Sequence, residues 1–282
     1  MPAVDPSRGP HGVSQPAPGL ARSRLKRLLA LRAGCSPAEG ATFLIYHRVG
    51  AGTGDELDVP ATAFARQLDL LDSHEVLSID GALDRLDAKD PRPCVVLTFD
   101  DGFEDVYDNA WPLLRERQLP FTVYLASSYV SAPMVWEGST AKGSAGRGMS
   151  WEQLAEMVES GLCTVGNHTH RHVPPESLSA SELDECTAII ESRLGVTPSH
   201  FTYPWGVAVP TMEGALEQRF RSASTGRIGR NTPDTHRLRL ARVPVRQSDP
   251  EEFFAAKLTG RLLPERAYAR LVAAAKAAGM TG

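Results

Sequence analysis

The sequence predicts an α/β fold, a parallel sheet with helical crossovers that curves toward a barrel. Three observations carry this expectation. From residue 41 onward, short apolar runs of strand length alternate with segments of helical period. Polar and titratable residues recur directly after the strand ends, where (β/α) barrels carry their chemistry. No internal repeat or low-complexity block interrupts the series beyond the N-terminal stretch.

The elements follow in order. Residues 42–46 read as the first strand of the domain. Phe64, Leu68 and Leu71 share one helical face, and 75–79 reads as a short strand. Residues 94–99 are the next strand, and 103–118 read as a helix with Val106, Trp111 and Leu114 inward. A strand at 121–126 is followed by 131–148, where Gly, Ser and Pro break the rhythm; this segment reads as an excursion beside the rim. A helix over 151–160 is ended by Gly161, and 162–166 is a strand. Ser179-Ala180-Ser181-Glu182 has the pattern of a capping box and opens a helix to Leu194, stopped by Gly195. Short strands at 200–203, 221–224 and 238–245 and two closing helices complete the chain.

The 282 residues suffice for one sizeable core, and a formal net charge of −4 gives no electrostatic reason for nucleic acid as a partner. Cys35, Cys94, Cys163 and Cys186 lie far apart with no Cys-x-x-Cys pair, so they read as reduced, buried thiols. No stretch has the length and apolarity of a transmembrane segment. Residues 1–39 read as a flexible N-terminal tail carrying one short basic helix around 25–31. That helix is expected to dock on the protein's own domain, with weak contact to a membrane surface as the alternative. The stretch lacks the pattern of a signal peptide, so the expected compartment is cytoplasmic.

Four clusters carry chemistry. In Val95-Val96-Leu97-Thr98-Phe99-Asp100-Asp101-Gly102 an apolar run ends in two adjacent carboxylates. Such a pair serves a metal, a proton transfer or both; the alternative is Asp101 as the N-cap of the following helix. In Gly166-Asn167-His168-Thr169-His170-Arg171-His172, His168 and His172 are four apart and would face the same way over one helical turn. His170 would then point to solvent or to a contact behind the ligands, and a solvated loop is the bland alternative for the whole cluster. Tyr203-Pro204-Trp205-Gly206 follows a strand, either as plain turn chemistry or as two flat rings and a backbone N–H at a sugar site. His47, in Tyr46-His47-Arg48-Val49, stands at the end of the first strand of the domain.

Together, Thr98-Phe99-Asp100-Asp101-Gly102, His168-Thr169-x-x-His172 and Tyr203-Pro204-Trp205-Gly206 resemble the polysaccharide deacetylase family, carbohydrate esterase family 4, in order and spacing from about residue 43 to 245. The resemblance implies a distorted (β/α) barrel over a catalytic domain at 40–282, C-terminal helices included. It also implies a divalent metal, zinc first with Co2+ and Ni2+ as alternatives, and removal of acetyl groups from an N-acetylated sugar or glycoconjugate. It casts Asp101, His168 and His172 as metal ligands and Asp100 as general base. Tyr203, Pro204 and Trp205 would form the substrate and oxyanion side.

Two departures stand out. Thr202 occupies a position where many members carry the arginine that orients the catalytic aspartate, and no late Leu-x-His supplies a general acid. The early Tyr-His-x-Val resembles a subgroup typified by biofilm-polysaccharide deacetylases, in which the first strand provides the acid, so His47 takes that role ahead of His236. An O-acetyl ester, a small biosynthetic intermediate, or carbohydrate binding without turnover are the alternative readings.

Overall fold

The structure, a computed structural model, describes residues 18–31, 33, 38–141 and 146–277. Cys35 and the Pro- and Gly-rich residues 1–17 lie outside them.

The sheet is built from its most apolar strands outward. β1 (Ala41–Tyr46) and β4 (Cys94–Phe99) are buried over their whole lengths. Burial on both faces is what a parallel sheet covered by helices requires. They pair in parallel with Tyr46 opposite Phe99, so both strands end at the same rim. β5 (Phe121–Leu125), β6 (Cys163–Asn167), β7 (His200–Thr202) and β8 (Ser222–Ser224) extend one side, and β9 (Val243–Pro244) the other, giving the order β8-β7-β6-β5-β4-β1-β9. A separate two-stranded ladder, β2 (Arg48–Val49) with β3 (Asp58–Val59), lies just past the rim end of β1.

Among the described residues every strand pairing in the main sheet is parallel, and the sheet curls into a half-barrel. Full closure is not reached. The edges touch through one bridge, Ser224 to Leu240. The expected strand at 238–245 resolves into a 3-10 turn at Arg237–Arg239, that bridge, and the two-residue β9. Pro244 has no N–H to donate, which limits the ladder there.

Helices cover the sheet: α2 (Ala61–Leu71), α3 (Ile79–Asp87), α4 (Trp111–Glu116), α5 (Trp151–Glu159), α6 (Ala180–Leu194) and α7 (Glu213–Glu217). Three expectations need correction. Residues 75–79 are not a strand: Val76 makes a single bridge to Val95, and Ile79 already opens α3, whose N-cap Ser78 accepts the Gly81 N–H. The helix expected over 103–118 is split by a π-helical turn at Val106–Ala110, because Pro112 cannot return a hydrogen bond to Asp108. Ser179 caps α6, but Glu182 does not complete the box; its carboxylate binds the Arg171 backbone N–H (2.9 Å) and Nε (2.8 Å). The reciprocal capping box sits instead at Ser150 and Gln153.

Helix α1 (Pro18–Ala30) packs on α8 (Glu251–Leu258) and α9 (Leu263–Ala277), with Leu25, Leu29 and Ala30 against Phe253, Tyr268 and Val272. Lys26 is fully buried there and donates to Ser248 Oγ and Asp249 Oδ1, both at 2.6 Å. Among the described residues no helix is long and apolar enough to cross a membrane.

Candidate active site

The rim where β1, β4, β6 and β7 end encloses a cavity of about 330 Å3, in the size range of small-molecule sites. Its wall includes His47, Asp100, Asp101, His168, His172 and Arg242.

The adjacent carboxylates separate because the backbone turns sharply between them. Asp100 N–H still donates to Tyr46 O, as a last rung between β4 and β1. Asp101 (φ 76°) and Gly102 (φ 88°) then both enter the left-handed region. Glycine suits position 102 on both counts, since its φ is positive and a Cβ there would lie 2.6 Å from Leu125 Cδ1. Asp101 has no such excuse, and a non-glycine residue held at positive φ marks backbone strain over-determined by its surroundings. Asp101 turns toward the histidines and caps no helix.

Asp101 Oδ1 lies 3.3 Å from His168 Nε2 and 3.4 Å from His172 Nε2, and one ligand atom from each residue fits within 4.8 Å of the others. The histidines do not meet over a helical turn as expected. They meet across a loop with positive φ at Thr169 (67°) and His172 (51°). His168 Nδ1 donates to Thr202 O at 2.9 Å, which leaves Nε2 as a lone pair facing the carboxylate. Burial lowers the His172 pKa to about 4 against the pull of Asp101, so this ring is neutral near pH 7. Burial alone would raise the Asp101 carboxyl, but the imidazoles that face it, whenever they carry a proton, outweigh burial and hold it well below the ordinary range. A carboxylate and imidazole nitrogens aimed at one point repel unless a proton or cation lies among them. Two neutral imidazoles and one carboxylate fit a divalent cation such as zinc.

Asp100 faces the other way, into the guanidinium of Arg242. The pair is bidentate, Nη1 to Oδ1 at 2.6 Å and Nη2 to Oδ2 at 2.7 Å, and both side chains are buried. Arg242 also donates to Thr202 Oγ1 (2.6 Å), Thr98 Oγ1 (3.2 Å) and Thr225 O (3.2 Å), and stands over the Tyr124 ring. Burial of Asp100 opposes its ionisation, but the charge and hydrogen bonds of Arg242 outweigh it and lower the pKa. The guanidinium that Thr202 lacks thus reaches Asp100 from the segment before β9, with Thr202 as one of its acceptors. The sequence reading missed Arg242, which sits in Leu240-Ala241-Arg242-Val243 with nothing local to single it out.

His47 follows β1 directly and lines the cavity; its Nδ1 is buried without a hydrogen-bond partner. His236 lies outside the cavity, exposed, with Nδ1 accepting the Leu238 N–H at 3.2 Å. His170 is turned away from the ligand cluster to Ser127 Oγ (2.9 Å) and Glu185 (3.3 Å). Trp205 stands at the mouth, 49% exposed, on a backbone with φ 62° and ψ 2°. Pro204 is buried behind it. Tyr203 borders the cavity, but its ring packs on Phe201 at 5.1 Å within a cluster that includes Leu216 and Phe220. The excursion contributes Trp136, Gly138, Ser139 and Thr140 to the wall.

Comparison with known proteins points the same way. A family profile described as polysaccharide deacetylase matches residues 87–219. The solved structure of IcaB from Ammonifex degensii is 30% identical, with a TM-score of 0.67, and the match covers 80% of this chain and all of that one. The poly-β-1,6-N-acetyl-D-glucosamine N-deacetylase of Staphylococcus epidermidis is 35% identical over 170 residues, so that the match spans 56% of that protein's length and 56% of this chain. The Streptococcus pyogenes deacetylase PplD, solved with acetate, shares the fold at 22% identity, with a TM-score of 0.65, over 79% of this chain and 99% of its own. With an IcaB structure matched along its entire length at this identity, the chain belongs to the polysaccharide deacetylase family.

Proposed function

We propose that the protein is a metal-dependent N-deacetylase that hydrolyses the acetamide of an N-acetylated sugar, releasing acetate and a free amine. The observation that carries this reading is the single cavity in which Asp101, His168 and His172 converge beside a separately held Asp100 and His47. A divalent metal held by Asp101, His168 and His172, zinc in the first place, would supply the Lewis acidity that brings a water's pKa toward 7 and polarises the acyl oxygen.

The remaining roles belong to the chain. Asp100 accepts the proton of the attacking water, its carboxylate oriented by the two hydrogen bonds from Arg242. An amine is a poor leaving group, so the departing nitrogen needs a proton, and His47 is the cavity-lining group assigned to deliver it. The backbone N–H of Trp205 is assigned to the oxyanion, and its exposed ring to the sugar face. The guanidinium at Asp100 favours turnover over carbohydrate binding alone, because it restores the orienting contact that Thr202 cannot make. The substrate class we favour is a polymer of N-acetylglucosamine, the class named for the Staphylococcus epidermidis relative.

The test is acetate release from N-acetylated glucosamine oligomers after chelation and after return of zinc, cobalt or nickel. Chelation is expected to abolish release and metal to restore it; unchanged release by the chelated protein would contradict the metal role. In the same assay His47→Ala should lower kcat about 10²-fold or more, and His236→Ala should leave it within about twofold. The reverse ranking would move the acid role to the late loop.

A further inference from the structure

The two candidate metal-binding histidines are held in different ways. His168 is fixed from behind, since its Nδ1 donates to Thr202 O. Metal-binding imidazoles nearly always have such a partner, which sets the ring's rotation and tautomer. His172 has none: its Nδ1 is buried and unpartnered. Its backbone lies at φ 51°, so local conformation does not favour this placement either.

What His172 has is an aromatic contact. The Trp136 ring is stacked on it, with centroids 4.5 Å apart and planes 29° apart. No other described ring is stacked on it: His168 meets it edge-on at 4.8 Å and Trp205 is tilted at 6.1 Å. Trp136 is itself wedged against Tyr129 (4.8 Å) and Phe103 (6.1 Å). The excursion that carries it is tied down on both sides of Trp136. Buried Met134 N–H donates to Gly146 O, and Arg48 Nη1 donates to Thr140 O at 3.2 Å. Gly138 lies on the Trp205 ring, where a Cβ would come within 2.4 Å of a ring carbon.

We infer that Trp136 is a positioning residue of the metal centre, holding the His172 ring in its ligating rotation in place of the missing hydrogen bond. This rests on the metal reading proposed above. The part of the excursion that carries Trp136 is then part of the centre itself as well as a wall of the cavity.

The experiment is zinc affinity, measured by competition with a chromophoric chelator, for the wild type, Trp136→Leu, Trp136→Phe and Val135→Ser. Leucine keeps bulk and loses the flat ring; phenylalanine keeps a flat ring; Val135 is an exposed neighbour on the same excursion. The expected result is a zinc Kd raised about 10- to 100-fold in Trp136→Leu, most of the affinity kept in Trp136→Phe, and no change in Val135→Ser. Zinc should also alter the tryptophan fluorescence of the wild type, with that response reduced in Trp136→Phe. Folded Trp136→Leu with wild-type zinc affinity would overturn the role of Trp136 alone. Wild-type protein that binds no zinc would overturn the metal reading and this inference together. If Trp136→Leu does not fold, the comparison moves to Trp136→Phe, where unchanged affinity with an unchanged zinc-induced fluorescence response overturns the role.

Discussion

Arg242 is 1% exposed and pairs with a carboxylate that is 6% exposed. Two buried charges are tolerated only with good geometry and full hydrogen bonding, and this pair has both. Arg242→Met should therefore cost about 3–5 kcal/mol in urea unfolding, because Asp100 is left buried and unpaired. The pH dependence has a definite sign. Arg242 lowers the folded-state pKa of Asp100, so the pair's contribution is complete above the ordinary carboxylate value of about 3.9 and is lost as pH falls through the depressed one. In Arg242→Met the largest influence opposing burial is gone, and burial raises the Asp100 pKa. The acid limb of the kcat/KM profile should then move to higher pH; a limb that stays in place would separate Asp100 from the rate. Asp100, Asp101, His168 and His172 were legible in the sequence because strand-end position and four-residue spacing are local signals. Arg242 was not, since its partner is 142 residues away and only the curl of the sheet brings them together.

Helix α1 illustrates what elements owe to contacts distant in sequence. A 13-residue helix of this composition has little stability alone, and its binding is secured by Lys26, buried against Asp249, which in turn binds Lys257 at 2.6 Å. Lys26→Met is expected to destabilise the protein by about 3 kcal/mol, the low end for a broken buried pair, because Asp249 retains Lys257. Arg27→Ala, which removes a 3.8 Å pair exposed on both sides, should cost less than about 0.5 kcal/mol. Equal losses in denaturant titrations would contradict this account of how α1 is anchored. The helices with clear caps, α5 and α6, were readable to within a residue or so. The misread segments are those in which local pattern loses to geometry. Residues 75–79 have the apolar content of a strand, but Ser78 caps a helix; Pro112 breaks a helix with otherwise regular period; and 238–245 is interrupted as the two sheet edges approach.

For the molecule as a whole, the half-barrel gathers groups from four strand ends at one rim, and a metal there would tie the turn after β4 to the loop after β6. Binding to the folded state alone should stabilise it, by about 4 kcal/mol at a free metal concentration 1,000 times Kd. Chelation should lower Tm and zinc restore it, with no response in Asp101→Ala. The alternation of strands and helices disclosed this architecture from the sequence, but not where the ring stays open. The division of labour between Asp100 and Asp101 is tested most directly by acetate release by zinc-loaded Asp100→Asn, with zinc content measured on the same sample. One bound zinc is expected, as in the wild type, with release from N-acetylated glucosamine oligomers reduced about 10³-fold. Full zinc occupancy with release within a few-fold of the wild type would contradict that division.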